Sequence, residues 1–172
     1  MRISKKITII MNSIIWKMKT LSHPNIKLSF LQRLSLDTHI KLLAGKTIWI
    51  GSMCQTRRCV DIIAFDGGSV HIGEGCFLNK NCSITAKESI VLGKNVSIGN
   101  NTVVVDHDHN FRKSCGNDEN YISQPITIED NVWIGANVVV LKGTYIGEGA
   151  VIAAGTVCRG KIAPYSVYTG IK

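Results

Sequence analysis

The chain has 172 residues, 45% hydrophobic but only 6% aromatic, and a formal charge of +8. That length allows one domain, and the few aromatic residues suit a narrow interior of Ile, Val, Leu, Ala and Cys. Residues 1–46 hold nine Lys or Arg against a single acid, Asp37, while the remaining 11 basic and 11 acidic residues cancel. No nucleic-acid-binding motif accompanies this basic stretch, so nucleic acid is not an expected partner. The apolar run from Ile7 to Trp16 is broken by Asn12 and is too short to span a bilayer. No small-residue cleavage site follows it, and the chain reads as cytoplasmic.

Residues 1–45 are expected to form a helical or irregular basic cap. Its lysines lie beside Ile7, Ile9, Ile10, Ile14, Ile15 and Trp16. That mixture suits either a solvated cap that keeps the molecule soluble or peripheral contact with an anionic membrane surface. From Lys46 the pattern changes to short β segments, KTIWIG, VDIIAF and SVHIGEGCFLN, with the GGS of residues 67–69 as a turn signal.

A ladder of aliphatic residues then sets in. Ile72, Leu78 and Ile84 are six apart, two extra residues intervene, and Leu92, Ile98 and Val104 resume the step. Ile122 is expected to rejoin the ladder, which continues through Ile128, Ile134, Val140, Ile146, Ile152 and Cys158. Six is neither the helical period nor simple strand alternation. It fits a short strand plus a turn, repeated three times per triangular coil, which is the signature of a parallel β-helix.

The residue four after each rung is small or β-branched, as at Val138, Thr144, Ala150 and Thr156. Cys54, Cys76 and Cys82 fall at that position and read as compact interior hydrophobes, with Cys158 on a rung. The six cysteines form no CxxC pair, which argues against zinc-ribbon and redox roles, and disulfides are not expected. Gly73, Gly93, Gly99, Gly135, Gly147, Asn95, Asn131 and Asn137 mark the corners, where left-handed backbone is expected.

Residues 106–121 carry no rung and are expected to be a loop extruded from the rigid coil, the kind of segment that bears function. It holds Asp106, His107, Asp108, His109 and Cys115. One histidine can act as a general base near neutral pH. His-x-His with the two aspartates can instead suggest a metal site, although a closed site needs more ligands than are evident. The third reading is a solvated loop. The residues alone leave these open, and nothing else supports Cys115 as a nucleophile.

The rungs, the DHDHNF segment and the stretch PITIEDNVWIGANVVVLKGTYIGEGAVIAAGTVCRG resemble the hexapeptide-repeat O-acetyltransferases. That family includes galactoside and maltose acetyltransferases and enzymes that acetylate sugars of capsules, exopolysaccharides and O-antigens. The DHDH form looks most like the polysaccharide-type enzymes. The resemblance makes residues 46–170 a left-handed parallel β-helix acyltransferase domain. It implies a homotrimer with active sites between subunits, acetyl-CoA as donor, a sugar or glycan acceptor and no metal.

The resemblance also implies roles for individual residues. His109 would take the proton from a sugar hydroxyl, held by Asp106 or a backbone carbonyl, and His107 would tolerate change better. Asn79 would fix the acceptor, Trp133 would line the pantetheine channel, and the N–H of Ala136 would bind the thioester oxygen. Ala154 and Arg159 would lie along CoA. Plainer readings are a corner asparagine, subunit packing by Trp133 and a solvent-facing Arg159.

Two departures shape the expectation. The sequence ends YTGIK, without the Gly-Asn-Pro-Ala-Lys-like stretch that helps the family hold CoA. The basic N-terminal part also differs from the compact acceptor-binding cap of the small-sugar enzymes, which points to another acceptor, such as a lipid-linked glycan at the membrane's inner face. Alternatives are an N-acetyltransferase of an amino sugar or other small acceptor, and a non-enzymatic trimeric scaffold. A carbonic-anhydrase-type site would need three histidines, with His71 about two turns away.

Overall fold

A computed structural model describes residues 5–110 and 121–170. Short strands alternate with sharp corners, and each turn of the coil adds one strand to each of three parallel sheets. Face A has seven strands, from Ile26–Leu28 to Lys161–Ile162. Face B has six, from Gln55–Thr56 to Val167–Tyr168, and face C six, from His39–Leu43 to Val157–Cys158. The chain is therefore a triangular parallel solenoid of about six turns.

The period of six arises because each side of the triangle spends one rung inward. Ile72, Leu92, Ile128 and Ile146 stack in register on face A. Leu78, Ile98, Ile134 and Ile152 do so on face B, and Ile84, Val104, Val140 and Cys158 on face C. All are 1% exposed or less, so the ladder is the core itself. Each such side chain contributes about 1.5–3 kcal/mol by leaving water. Cys54, Cys76 and Cys82 are buried in the second inward position.

Three expectations change. Ile122 is not a rung: it is exposed, in a strand outside the coil, and the ladder resumes at Ile126 and Ile128. The coil also starts about twenty residues before Lys46, because Ile26–Leu28 already pairs with Thr47–Ile50 on face A and His39–Leu43 with Asp61–Phe65 on face C. The boundary expected at 45/46 thus falls inside the solenoid, and the helical part of the cap is α1, Lys5–Lys19.

The third change concerns the corners. Asn81, Asn95, Asn101, Asn131 and Asn137 are left-handed, with φ between 56° and 59°. Their amides form ladders, Asn81 to Asn101 at 3.1 Å and Asn101 to Asn137 at 3.0 Å. Gly73 and Gly99 are needed for a different reason. A Cβ on Gly73 would lie 2.3 Å from the carbonyl oxygen of Gly93, and one on Gly99 2.6 Å from the Ala136 nitrogen. These glycines admit the backbone of the next coil.

An open solenoid end must be covered, and α1 covers the first one. Trp16 is 3% exposed and its Nε1 donates to the Leu34 carbonyl at 3.1 Å. Asn12 donates to that same carbonyl at 2.7 Å and accepts from the Leu34 N–H at 3.0 Å, while the Gln32 N–H donates to Ser13 Oγ at 2.7 Å. No helix among the described residues is long and apolar enough to cross a membrane.

Candidate functional site

The coil is interrupted once, at the corner between faces C and A. Val103–Val105 closes face C of one turn and Ile126–Ile128 opens face A of the next. Between them His107–His109 pairs antiparallel with Tyr121–Ser123, with His107 opposite Ser123 and His109 opposite Tyr121. The expected loop therefore begins as a β-hairpin. Residues 111–120, Cys115 included, lie outside the described residues.

Asp106 is not part of the extruded segment. It is fully buried at the last position of the coil before the hairpin. One carboxylate oxygen accepts the Lys87 N–H at 2.8 Å, and the other accepts those of Glu88 at 2.9 Å and Ser89 at 2.8 Å. Lys87 to Ser89 form the corner that contains the two extra residues of the ladder. Backbone donors at such a partly buried corner need partners, and Asp106 from the following turn supplies them. Its fourth contact, 3.0 Å, is to Nδ1 of His107. The expectation that Asp106 holds His109 is thereby corrected: its lone pairs go to the corner and to His107.

The two histidines sit in different environments. The His107 side chain is only 12% exposed, edge-on to Phe65 at 5.0 Å and to Tyr121 at 5.3 Å. The Asp106 carboxylate facing Nδ1 puts the proton of the neutral ring on that nitrogen. His109 is exposed and lies over Tyr121 at 4.7 Å, tilted by 43°. Its ring nitrogens have no hydrogen-bond partner among the described residues.

A platform holds the hairpin down. The Lys87 ammonium sits 4.8 Å from the Tyr121 ring centre and pairs with Asp66, and Asp108 pairs with Lys142 of the next turn. Sequence reading missed Tyr121, Phe65 and Lys87 as site residues. Only the coil register could have revealed them, since pairing Ala64 with Ala86 puts Phe65 beside Lys87.

The other expected residues occupy another edge. Asn79 follows the face B rung Leu78, and Ala136 and Ala154 stand two residues after the rungs Ile134 and Ile152, all at the corner between faces B and C. The Asn79 Oδ1 accepts the Lys80 N–H at 3.0 Å. The Ala136 N–H donates to none of the described residues. Trp133 stands on the outer side of face B, 60% exposed. Arg159 is exposed at the corner between faces C and A, two turns beyond the hairpin. The chain thus brings His109 and Arg159 to one edge and Asn79, Ala136 and Ala154 to another. Face C separates them by about five extended residues, roughly 16 Å.

Among the described residues no group of three or more His, Cys, Asp or Glu is placed to hold a metal ion. His71 lies on face A, stacked on Trp49 at 4.2 Å, and burial lowers its pKa. Burial raises the thiol pKa of Cys82 and of Cys158.

Known proteins share both the repeat and the coil. The family model described as bacterial transferase hexapeptide (six repeats) matches residues 125–160, and that for the hexapeptide repeat of succinyl-transferase matches residues 69–105. The chain is 40% identical over 109 residues to a putative acetyltransferase of Schizosaccharomyces pombe, covering 63% of this chain and 53% of that one. It is 39% identical over 105 residues to galactoside O-acetyltransferase of Escherichia coli, covering 61% and 52%. The putative lipopolysaccharide biosynthesis O-acetyl transferase WbbJ of the same species is 32% identical over 117 residues, covering 63% and 60%. The chain therefore spans about half the length of the curated relatives it matches.

Two solved structures have the same architecture. A mutant of an N-acyltransferase from Bacillus cereus, in complex with dTDP-4-amino-4,6-dideoxyglucose and coenzyme A, superposes with a TM-score of 0.71 at 18% identity, covering 90% of this chain and 85% of that one. A hexapeptide-repeat acetyltransferase of Vibrio cholerae, complexed with acetyl-CoA, gives 0.60 at 25% identity, covering 94% and 76%.

Proposed function

The chain is a hexapeptide-repeat protein whose named relatives are acetyltransferases, and from that premise we propose that it is an acetyl-CoA-dependent O-acetyltransferase acting on a sugar hydroxyl in surface polysaccharide biosynthesis. The observation that carries this reading is the exposed imidazole of His109, seated on Tyr121 at the root of a hairpin that leaves a transferase-type coil. His107, its neighbour, is engaged by Asp106 and closed in by Phe65 and Tyr121.

His109 takes the proton of the acceptor hydroxyl as the oxygen attacks the thioester carbonyl carbon, because a sugar hydroxyl is a weak nucleophile until that proton leaves. The C–O bond forms, the tetrahedral intermediate collapses with cleavage of the C–S bond, and the imidazolium returns the proton to the departing sulfur. The products are the acetyl ester and CoA thiol. The Ala136 N–H serves as the donor to the developing oxyanion. Asn79, with Oδ1 taken by Lys80, keeps its amide N–H groups for an acceptor oxygen. Trp133 offers apolar surface to the pantetheine arm, Ala154 leaves room beside it, and Arg159 supplies charge for phosphate.

These groups lie on two edges of one chain, which favours a homotrimer in which His109 of one subunit faces the Asn79 and Ala136 edge of another. The reading keeps the enzyme in the cytoplasm, where acetyl-CoA is available. Transfer to an amine is the second reading, supported by the Bacillus cereus N-acyltransferase. That likeness, at 18% identity, concerns the fold alone, whereas the relatives above 30% whose names specify the bond are O-acetyltransferases.

Transfer of radiolabelled acetyl from acetyl-CoA to a panel of sugars, amino sugars and glycan fragments tests the reading. An acceptor-dependent product whose label is released by hydroxylamine supports an ester. A hydroxylamine-stable product would assign the chain to N-acetylation. No transfer, together with no acetyl-CoA binding by calorimetry, would make it a scaffold.

A further inference from the structure

We propose that α1 is an interfacial helix that lays the end of the coil it caps on an anionic lipid surface. The helix has two apolar sides. Trp16 faces the coil and is buried, while Ile10, Met11, Ile14 and Met18 are 42% to 70% exposed. At the helical pitch these four fall within about 100° of arc, opposite Trp16. Ile15 widens the stripe, Leu21 extends it beyond the helix end at 79% exposure, and Leu36 joins it across a shallow depression shared with Met11 and Ile15. Single exposed apolar residues are ordinary on a protein surface, but a contiguous stripe marks a contact.

Charge identifies the occupant. Lys17 borders the stripe on one side, where a long cationic chain can reach past apolar contacts to headgroups, and Lys19 borders it on the other, its ammonium on the Leu36 carbonyl at 3.3 Å and over the Trp16 ring at 4.7 Å. The whole +8 of the sequence resides in residues 1–46. A second copy of the chain would bring another positive helix against this one, whereas an anionic bilayer complements it. An interfacial helix combines one apolar face with a basic border and does not need the length of a membrane span. A transferase held this way would meet acceptors carried on lipid, a consequence that rests on the function proposed above. The surface itself does not depend on acetyl transfer.

The test is co-sedimentation of the full chain with vesicles of phosphatidylcholine with and without phosphatidylglycerol, at low and high salt. The expected result is binding that requires the anionic lipid and weakens with salt. Ile14→Gln/Met18→Gln should reduce binding about a hundredfold, with an unchanged thermal midpoint because both side chains are exposed. Absence of binding, equal binding to phosphatidylcholine alone, or binding indifferent to the substitutions would overturn the proposal. Self-association that grows with concentration and disappears in the double variant would assign the stripe to a second copy instead.

Discussion

The carboxylate of Asp106 stands 3.0 Å from Nδ1 of His107, while the ring of His109, two residues on, has no hydrogen-bond partner among the described residues. The two histidines of one motif thus divide the work. His107 pins the hairpin to the coil and His109 is left accessible.

Stability should follow that division. Asp106→Ala removes the acceptor of three partly buried backbone N–H groups and should cost about 1–3 kcal/mol, since water can reach part of this corner once the carboxylate is gone. Asp106→Asn should cost less, since one oxygen remains to accept. His107→Ala should also destabilise, whereas His109→Ala should leave the urea midpoint unchanged. Equal midpoints for all four variants would contradict the assignment.

Cysteine reactivity offers an independent check on the core. Cys54, Cys76, Cys82 and Cys158 are buried and Cys59 is exposed. A Cys59→Ser/Cys115→Ser variant should bind no aromatic disulfide reagent while folded and should expose four thiols in denaturant. Burial holds the thiols of Cys82 and Cys158 protonated, which slows attack further. Rapid labelling of the native variant would mean that the coil is open.

Proton linkage at His71 has a definite sign. Partial desolvation of its ring, which stacks on Trp49 but stays exposed on its other side, holds its pKa below the ordinary value of 6.5. The unfolded chain then binds the proton first as pH falls, so this residue's contribution is present above pH 6.5 and is lost as pH drops through the lower folded value. The imidazole resonance of His71 should titrate below 6.5, and His71→Gln should flatten the acid side of the stability profile. A midpoint above 6.5 would reverse the sign.

Subunit sharing can be read from mixtures. His109→Ala and Asn79→Ala should each be nearly inactive alone. If every site takes His109 from one subunit and Asn79 from its neighbour, equal mixing with subunit exchange should restore about a quarter of wild-type activity, because random assembly in a cyclic trimer leaves one site in four intact. No recovery would place both residues' work within one chain.

The regular part of the fold was legible because each rung from Ile128 to Cys158 is buried in a turn of nearly constant length. The early turns were hidden by their longer corners. Ile50 and Ile72 stack in one column yet lie 22 residues apart, and Ile72 and Leu92 20 apart. Ile122 misled for a related reason, since in a hairpin beside the coil its spacing to Ile128 is coincidental. The histidines were found because they stand where the ladder fails. The Asp106 contacts could not be read, because its backbone partners lie 17 to 19 residues earlier and leave no side-chain signature.

The most direct test of the account is the turnover of His109→Ala in acetyl transfer, at saturating acetyl-CoA and the best acceptor, beside wild type. The account predicts a fall in kcat of about 10²–10⁴, with unchanged stability and little change in acetyl-CoA affinity. Wild-type turnover by the folded variant would show that His109 is not the base.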